Sequence, residues 1–311
     1  MKNRNLKTII ILSLSYSILM GSGFYGFGVD FYGSYINQNY VGSSFIRGYL
    51  GWRISTLTIN NFHLGVYINS FLLALSCGLI LNDLFKLKKI YSLFLFVILF
   101  VMLIHTWPVF QATSNAMRQG LCMSFIYLSL ISLNKNHFKS SIFFIFLSLL
   151  MHISSFIFIL IYMMTFFFKD YRFKNKLILI QTTSICLGIF YYLLIYIFNY
   201  SPGSSRIIGY DFKYEFLFIN FFFISFLTIY LKNFANNIFY LFVYFFSYVS
   251  PAIFFNNLYW QFERINMMAL ILMILVFGST FKKKQAIFLW YFLSFFLLSL
   301  TYYTDMYGSF V

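Results

Sequence analysis

The chain has 311 residues, of which 61% are hydrophobic and only 9% are charged. Soluble globular domains carry about 25% charged residues, so this composition excludes that class and predicts an integral membrane protein. The formal net charge of +15 does not indicate nucleic-acid binding, because the lysines lie in short clusters between apolar runs, as in cytoplasmic loops, and no nucleic-acid-binding motif accompanies them.

The apolar runs predict an all-α, polytopic transmembrane protein that forms a single integral membrane domain over 1–311. A helical run of about 20 apolar residues crosses a hydrocarbon core of ~30 Å. Lys2, Arg4 and Lys7 hold the first end of the chain on the cytoplasmic side. In chain order, the nine predicted full spans are 8–23, 62–84, 90–107, 116–133, 177–198, 216–231, 237–255, 263–280 and 285–302.

The apolar run 141–168 is predicted to be a broken, re-entrant hairpin and not a further crossing. As one helix it would be ~42 Å long, which is long for a single crossing. A single crossing would also place the later lysine clusters outside, against the positive-inside rule. We expect the break at "HISS", His152 to Ser155, because irregular backbone at membrane depth is tolerated only inside protein or beside a wet cavity.

This topology places most arginines on the outer side of the membrane. The predicted outer loops are 24–61, 108–115, 199–215 and 256–262. The arginines on this side are Arg47, Arg53, Arg118, Arg206 and Arg264, which leaves only Arg4 and Arg172 inside. Because guanidinium binds phosphate or carboxylate in a planar, bidentate way, the outer face is predicted to hold an anionic group.

Arg118 and Gln119, at the start of the fourth span, are the first candidate site residues. An arginine at the centre of a span costs ~2.5–3.5 kcal/mol on insertion scales. The N-terminus of this span also presents free backbone N–H groups outward, which favours an anion there. The alternative is that Arg118 snorkels to the outer headgroups, but Gln119 adds a second polar group at the same depth.

Two further groups of polar residues lie where a site is expected. His152, with Ser154 and Ser155, falls at the predicted break, although a lone histidine in an apolar run is usually a packing residue. Glu263 and Arg264 enter a later span from the outside. They either neutralise each other at the interface or each bind another partner, since adjacent residues on a helix do not face each other.

General-base chemistry on the outer side needs a carboxylate or a histidine. Asp30 is the only acidic residue in the first outer loop, so Asp30, Glu263 and His152 are the candidates for the base. The sequence has no H-E-x-x-H motif, no phosphate-binding loop and no G-x-S-x-G nucleophile motif, so we predict neither a metal nor a cofactor.

The segment "NAMRQGLCMSFIYLSL", a short basic loop and "LSLLMHISS" resemble the N-x-x-R-Q-x-x-A … H-x-S signature of the Wzy/EpsG-type bacterial polysaccharide polymerases. The upstream Asp30 and the late Glu263 and Arg264 fit the same pattern, whereas Cys122 and Met123 stand where the family often has a small residue. The resemblance implies a metal-independent glycosyltransferase of the bacterial inner (cytoplasmic) membrane, with its active site toward the periplasm or exterior. Such an enzyme transfers a growing O-antigen, capsule or exopolysaccharide chain from undecaprenyl pyrophosphate to the next lipid-linked repeat unit.

With these roles, the expected catalytic residues are Arg118, His152, Glu263 and Asp30. The expected substrate- or pyrophosphate-binding residues are Arg118, Gln119, Arg264, Arg206, Arg53, Ser154, Ser155 and Asn115. The implied partners are the lipid-linked oligosaccharide and the bilayer, together with a flippase and a chain-length regulator, and no nucleic acid.

Two other function classes stay open at this point. A flippase or transporter for lipid-linked oligosaccharides would be expected to show internal repeats, and none is visible here. An O-antigen ligase or a membrane acyltransferase would use a similar outer site with arginine and histidine, and a ligase differs from a polymerase mainly in its acceptor.

Overall fold

The computed structural model contains only helices and turns in the residues it describes. The described residues are 2–24, 49–58, 63–87, 90, 92–114, 117–152, 155–168, 214–234, 237–255 and 259–308, with 178, 181–182, 185–186 and 189. Their helices are α1 (Lys2–Gly21), α2 (Tyr49–Ser55), α3 (Leu64–Leu87), α4 (Leu93–Ile104), α5 (Trp107–Ser114), α6 (Met117–Asn134), α7 (Phe138–Met151), α8 (Ser155–Phe168), α9 (Glu215–Phe234), α10 (Ile238–Phe255), α11 (Tyr259–Gly278) and α12 (Lys284–Gly308).

The prediction of an all-α, multi-pass membrane protein is confirmed at this level. In the described part of the chain, α3 and α10 are each long and apolar enough to cross a membrane. The consecutive helices α4 and α5 make a third crossing if they count as one span, with a bend of 59° between them. The number of nine full spans stays a prediction, and the predicted span 177–198 lies largely outside the described residues.

Segments 24–61 and 108–115, predicted as loops, each contain a helix. In the first, α2 occupies the end nearest α3, and in the second α5 covers almost the whole segment. Pro108 lies in the first turn of α5. Proline is suited to this position, where its missing N–H has no intrahelical partner to lose.

The break predicted inside the run 141–168 is present at the expected residues. Helix α7 ends at Met151, His152 has an extended backbone (φ −158°, ψ 138°), and α8 begins at Ser155. Each of the two helices has 14 residues, which is too short to cross the hydrocarbon core on its own. The return of the second half toward the cytoplasmic side stays a prediction.

The chain packs into two compact units, Met1–Phe156 with Ile274–Val311, and Ile157–Met273. The prediction of one domain over 1–311 stays a prediction.

In the first unit, α3 packs between α1 and α6, and α6 packs against α7. Helices α3 and α6 run in the same direction. Asn69, near the start of α3, contacts Gly120 near the start of α6. Asp83, near the end of α3, pairs with Lys135 just beyond the end of α6 (3.3 Å). Asp83 also pairs with Lys86 (3.6 Å). The unit therefore has one end with lysines and an opposite end where α6 begins.

In the second unit, buried polar side chains connect α9, α10 and α11. The Nδ2 group of Asn220 donates hydrogen bonds to Asn266 Oδ1 (2.6 Å) and to Phe216 O (2.7 Å). Asn220 Oδ1 accepts a hydrogen bond from Ser250 Oγ (2.9 Å), and Asn266 Nδ2 donates to Phe262 O (2.7 Å). These three side chains are fully buried, so their hydrogen bonds set the register of three helices in an otherwise apolar core.

Candidate functional site

The start of α6 places two of the predicted site residues next to each other in the first unit. Arg118 is the second residue of α6 and is partly exposed, and Gln119 follows with a side chain that is only 1% exposed. The first turn of a helix has backbone N–H groups without intrahelical acceptors and carries the positive end of the helix dipole. Arg118 therefore adds a full positive charge where the backbone already favours an anion.

The start of α6 is fixed by close contacts with α5 and α3. A Cβ atom on Gly120 would overlap the carbonyl oxygen of Ala112 and lie 2.7 Å from Asn69 Oδ1. Asn69 Nδ2 donates hydrogen bonds to Ala112 O (2.8 Å) and Thr113 O (3.3 Å). These carbonyls belong to the last turn of α5, whose acceptors lack intrahelical donors, so Asn69 acts as a C-terminal cap supplied by another helix.

The short helix α2 lies against α6, α7 and α3. Its Trp52 is 94% buried and places its ring under the guanidinium of Arg118, with Cζ 5.6 Å from the ring centroid. This distance is within the range of a cation–π interaction. Arg53, another predicted site residue, is the next residue of α2 and is exposed.

The break between α7 and α8 meets the same short helix. A Cβ atom on Gly51 would overlap the backbone of Met151, which is the residue before His152. His152 is partly buried at the end of α7, and Ser155 is fully buried at the start of α8. Three predicted residues therefore lie on α2 or next to residues that contact it: Arg53, Arg118 and His152.

Several buried polar atoms near these elements accept or donate no hydrogen bond within the described part of the chain. Both amide atoms of Gln119 are in this state, as are Asn69 Oδ1, Gln111 Oε1, Ser55 Oγ and Ser155 Oγ. Burying a polar group without a partner costs about 1–3 kcal/mol in proteins. Buried polar atoms without protein partners are typical of a site that receives a polar ligand or ordered water.

Glu263 and Arg264 lie near the start of α11, in the second unit. Glu263 is 9% exposed and Arg264 is partly buried, and the following turn is held by Asn266, whose side chain binds the carbonyl of Phe262. The helix begins at Tyr259, four residues before the predicted start of this span at 263, so both residues lie about one turn inside it.

The remaining predicted residues, Asp30, Arg206, Asn115 and Ser154, lie outside the described residues. Among the residues that the structure describes, no group of three or more His, Cys, Asp or Glu side chains is arranged to hold a metal ion.

A comparison with protein-family models finds a match to the EpsG family over residues 7–310. The chain belongs to the EpsG family. This confirms the resemblance based on about forty residues and extends it to almost the entire chain. No curated protein and no solved structure matches the chain significantly.

Membership of the EpsG family indicates a membrane protein of polysaccharide synthesis, with a polymerase type of function. In this family member, the described residues near α2 offer a guanidinium, a helix N-terminus, an imidazole and unpaired carboxamide and hydroxyl groups. These are groups that bind a phosphate and sugar hydroxyls, and the imidazole is able to accept a proton.

Sequence reasoning did not single out Trp52, Gly51 or Asn69, which hold the candidate residues in place. The only sequence signal was the succession of Gly51, Trp52 and Arg53 in a segment interpreted as loop. A glycine permits a close backbone approach, but it does not identify the partner.

Proposed function

We propose that the chain is a polysaccharide repeat-unit polymerase, a glycosyltransferase that moves a growing glycan from undecaprenyl pyrophosphate to the next lipid-linked repeat unit. The observation that supports this most directly is that α2 contacts both the start of α6, with Arg118 and Gln119, and the end of α7, next to His152. The two halves of the family signature, which are more than thirty residues apart in sequence, thus flank one short helix.

In the proposed reaction, a hydroxyl oxygen of the acceptor sugar bonds to the anomeric carbon of the donor sugar. The bond between that carbon and the pyrophosphate oxygen breaks, undecaprenyl pyrophosphate leaves, and the hydroxyl proton passes to a general base. Arg118 and the N-terminus of α6 stabilise the negative charge that develops on the leaving group. His152 is the candidate base of the first unit, and Asp30 and Glu263 are the alternatives.

The proposed site faces the outer side of the bacterial cytoplasmic membrane. Arg118 and Lys135 are separated by 17 residues along α6, or roughly 25 Å, which approaches the thickness of the hydrocarbon core. Lys135 and Lys86 mark the opposite end of the unit and pair with Asp83 there. The positive-inside rule assigns the lysine end to the cytoplasm, and hence the Arg118 end to the exterior.

A deletion strain complemented with wild type, Arg118→Ala or His152→Ala tests the proposal by gel analysis of surface polysaccharide. The matched control is His137→Ala, since His137 is exposed at the opposite end of α7. Immunoblots of the membrane fraction establish that each variant is present at the wild-type level.

We expect the deletion and both site variants to retain a single lipid-linked repeat unit and to lose the polymer ladder, while the control keeps the ladder. Loss of the single unit at the cell surface would indicate a flippase or transporter instead. A normal lipid-linked polymer that is no longer joined to its final acceptor would indicate a ligase. An unchanged ladder in both site variants would refute the proposed site.

A further inference from the structure

The contact between Trp52 and Arg118 explains how a charged side chain is held at the start of a membrane helix. The ring of Trp52 is buried, with 6% of its surface exposed, so it does not offer an open face on which a sugar ring stacks. Its face is covered by the guanidinium of Arg118, whose Cζ lies 5.6 Å from the ring centroid. A cation–π contact of this kind attracts the guanidinium through its charge, and the N–H donors of the guanidinium lie in its own plane and can still bind an anion.

Gly51 connects the same helix to the other half of the candidate site. Its Cα approaches the backbone of Met151 so closely that any side chain would collide with a carbonyl oxygen, which cannot rotate away like a flexible side chain. His152 follows directly and leaves the helical conformation. Helix α2 therefore contacts both Arg118 and the residue that precedes the break.

We propose that Trp52 and Gly51 are positioning residues. Trp52 orients the guanidinium of Arg118 so that its edge faces the leaving phosphate, and Gly51 fixes the distance between Arg118 and the break at His152. The catalytic meaning of this arrangement rests on the proposed function, but the arrangement itself can be measured without any polymerase activity.

The first test measures the chemical reactivity of Arg118 in the full-length protein in membranes. Phenylglyoxal modifies guanidinium groups, and mass spectrometry of the peptide that contains Arg118 gives the rate of modification. A cation–π interaction of ~0.5–2 kcal/mol corresponds to roughly a 2- to 30-fold change in an equilibrium. We therefore expect Trp52→Leu to raise the modification rate of Arg118 within that range, and Trp52→Phe, which keeps an aromatic face, to stay within about 2-fold of wild type.

A second test variant, Gly51→Ala, and a matched control, Gly78→Ala, separate positioning from general packing. Gly51→Ala is expected to raise the reactivity of Arg118 as Trp52→Leu does, because α2 has to shift away from α7. Gly78→Ala crowds side-chain atoms of Phe100 and Ile9 elsewhere in the same unit, and it is expected to leave the reactivity of Arg118 unchanged.

The second test follows the polymer ladder in the same strains. We expect Trp52→Leu and Gly51→Ala to lose long chains and Trp52→Phe to restore them. Equal reactivity of Arg118 in wild type and Trp52→Leu, or equal effects of leucine and phenylalanine, would overturn the positioning role. A higher reactivity with a normal ladder would support the positioning of Arg118 and would count against its proposed part in polymerisation.

Discussion

The hydrogen bond from Ser250 to Asn220 predicts a difference in stability between two neighbouring serine substitutions in α10. Ser250 and Ser247 are both fully buried and lie one turn apart. Ser250 Oγ donates to Asn220 Oδ1 on α9 (2.9 Å), whereas Ser247 Oγ donates to Val243 O of its own helix (2.9 Å). Replacing each serine by alanine removes the same atom and gains the same helix propensity, so these terms cancel in the comparison.

The remaining difference is the interhelical hydrogen bond and the acceptor that it leaves behind. Such bonds contribute ~0.6 kcal/mol on average and up to ~1.7 kcal/mol within membrane proteins. Ser250→Ala also leaves Asn220 Oδ1 buried without its donor, which adds part of a penalty of ~1–3 kcal/mol. We expect Ser250→Ala to lower the free energy of unfolding by about 1–2 kcal/mol more than Ser247→Ala does.

The assay is reversible unfolding of the purified protein from mixed micelles by increasing fractions of SDS. A double-mutant cycle with Asn220→Ala isolates the pair, because in that background the effect of Ser250→Ala should fall to that of Ser247→Ala. If Ser247→Ala costs as much as Ser250→Ala in the wild-type background, the interhelical bond does not stabilise the fold and the reasoning is wrong.

Three further substitutions test the first unit. Asn69→Ala removes both hydrogen bonds to the last turn of α5 and leaves Ala112 O without its cap. We expect it to lower the free energy of unfolding by about 1–2 kcal/mol in the same SDS titration. No measurable loss of stability would contradict the capping role. Gly120→Ala is expected to destabilise more than Gly78→Ala, because the new methyl group meets a backbone carbonyl at Gly120 but rotatable side chains at Gly78, and the reverse order would contradict this. Arg118→Lys keeps the charge but loses the planar, bidentate donor group, so the polymer ladder should disappear at unchanged protein level, and a full ladder would exclude a bidentate role.

The long helices of this protein were predictable from the sequence because an apolar segment in a membrane has to satisfy its own backbone. The predicted span 116–133 became α6 (Met117–Asn134), and the predicted span 237–255 became α10 (Ile238–Phe255). The break between α7 and α8 was equally predictable, because the run was too long for one crossing and contained a polar interruption.

Helix α2 could not be predicted in the same way. It has seven residues, includes a glycine, and is too short to be stable by itself in water. Its formation depends on packing against α6, α7 and α3, and none of these contacts is visible in local periodicity. The pairing of Trp52 with Arg118 is likewise a contact between residues far apart in sequence, and a single sequence contains no signal for it.

Two buried side-chain amides, Asn220 and Gln119, differ in their hydrogen bonding, and this contrast gives a last prediction. Asn220 has donors and acceptors for its entire amide, whereas Gln119, equally buried, has none for either amide atom within the described residues. Leucine at position 220 should therefore destabilise the protein, because it leaves Ser250 Oγ without its acceptor and Asn266 Oδ1 without its donor.

Leucine at position 119 should leave stability unchanged or higher, since it removes a buried amide that has no hydrogen bond to the described residues, yet it should shorten the polymer. The SDS titration and the polymer ladder, measured on the same two variants, test both halves of this expectation. A marked loss of stability in Gln119→Leu would mean that the amide is bound within the protein, and its burial would then be structural. A stable Gln119→Leu protein without long polymer would mean that the amide serves the site and not the stability of the fold.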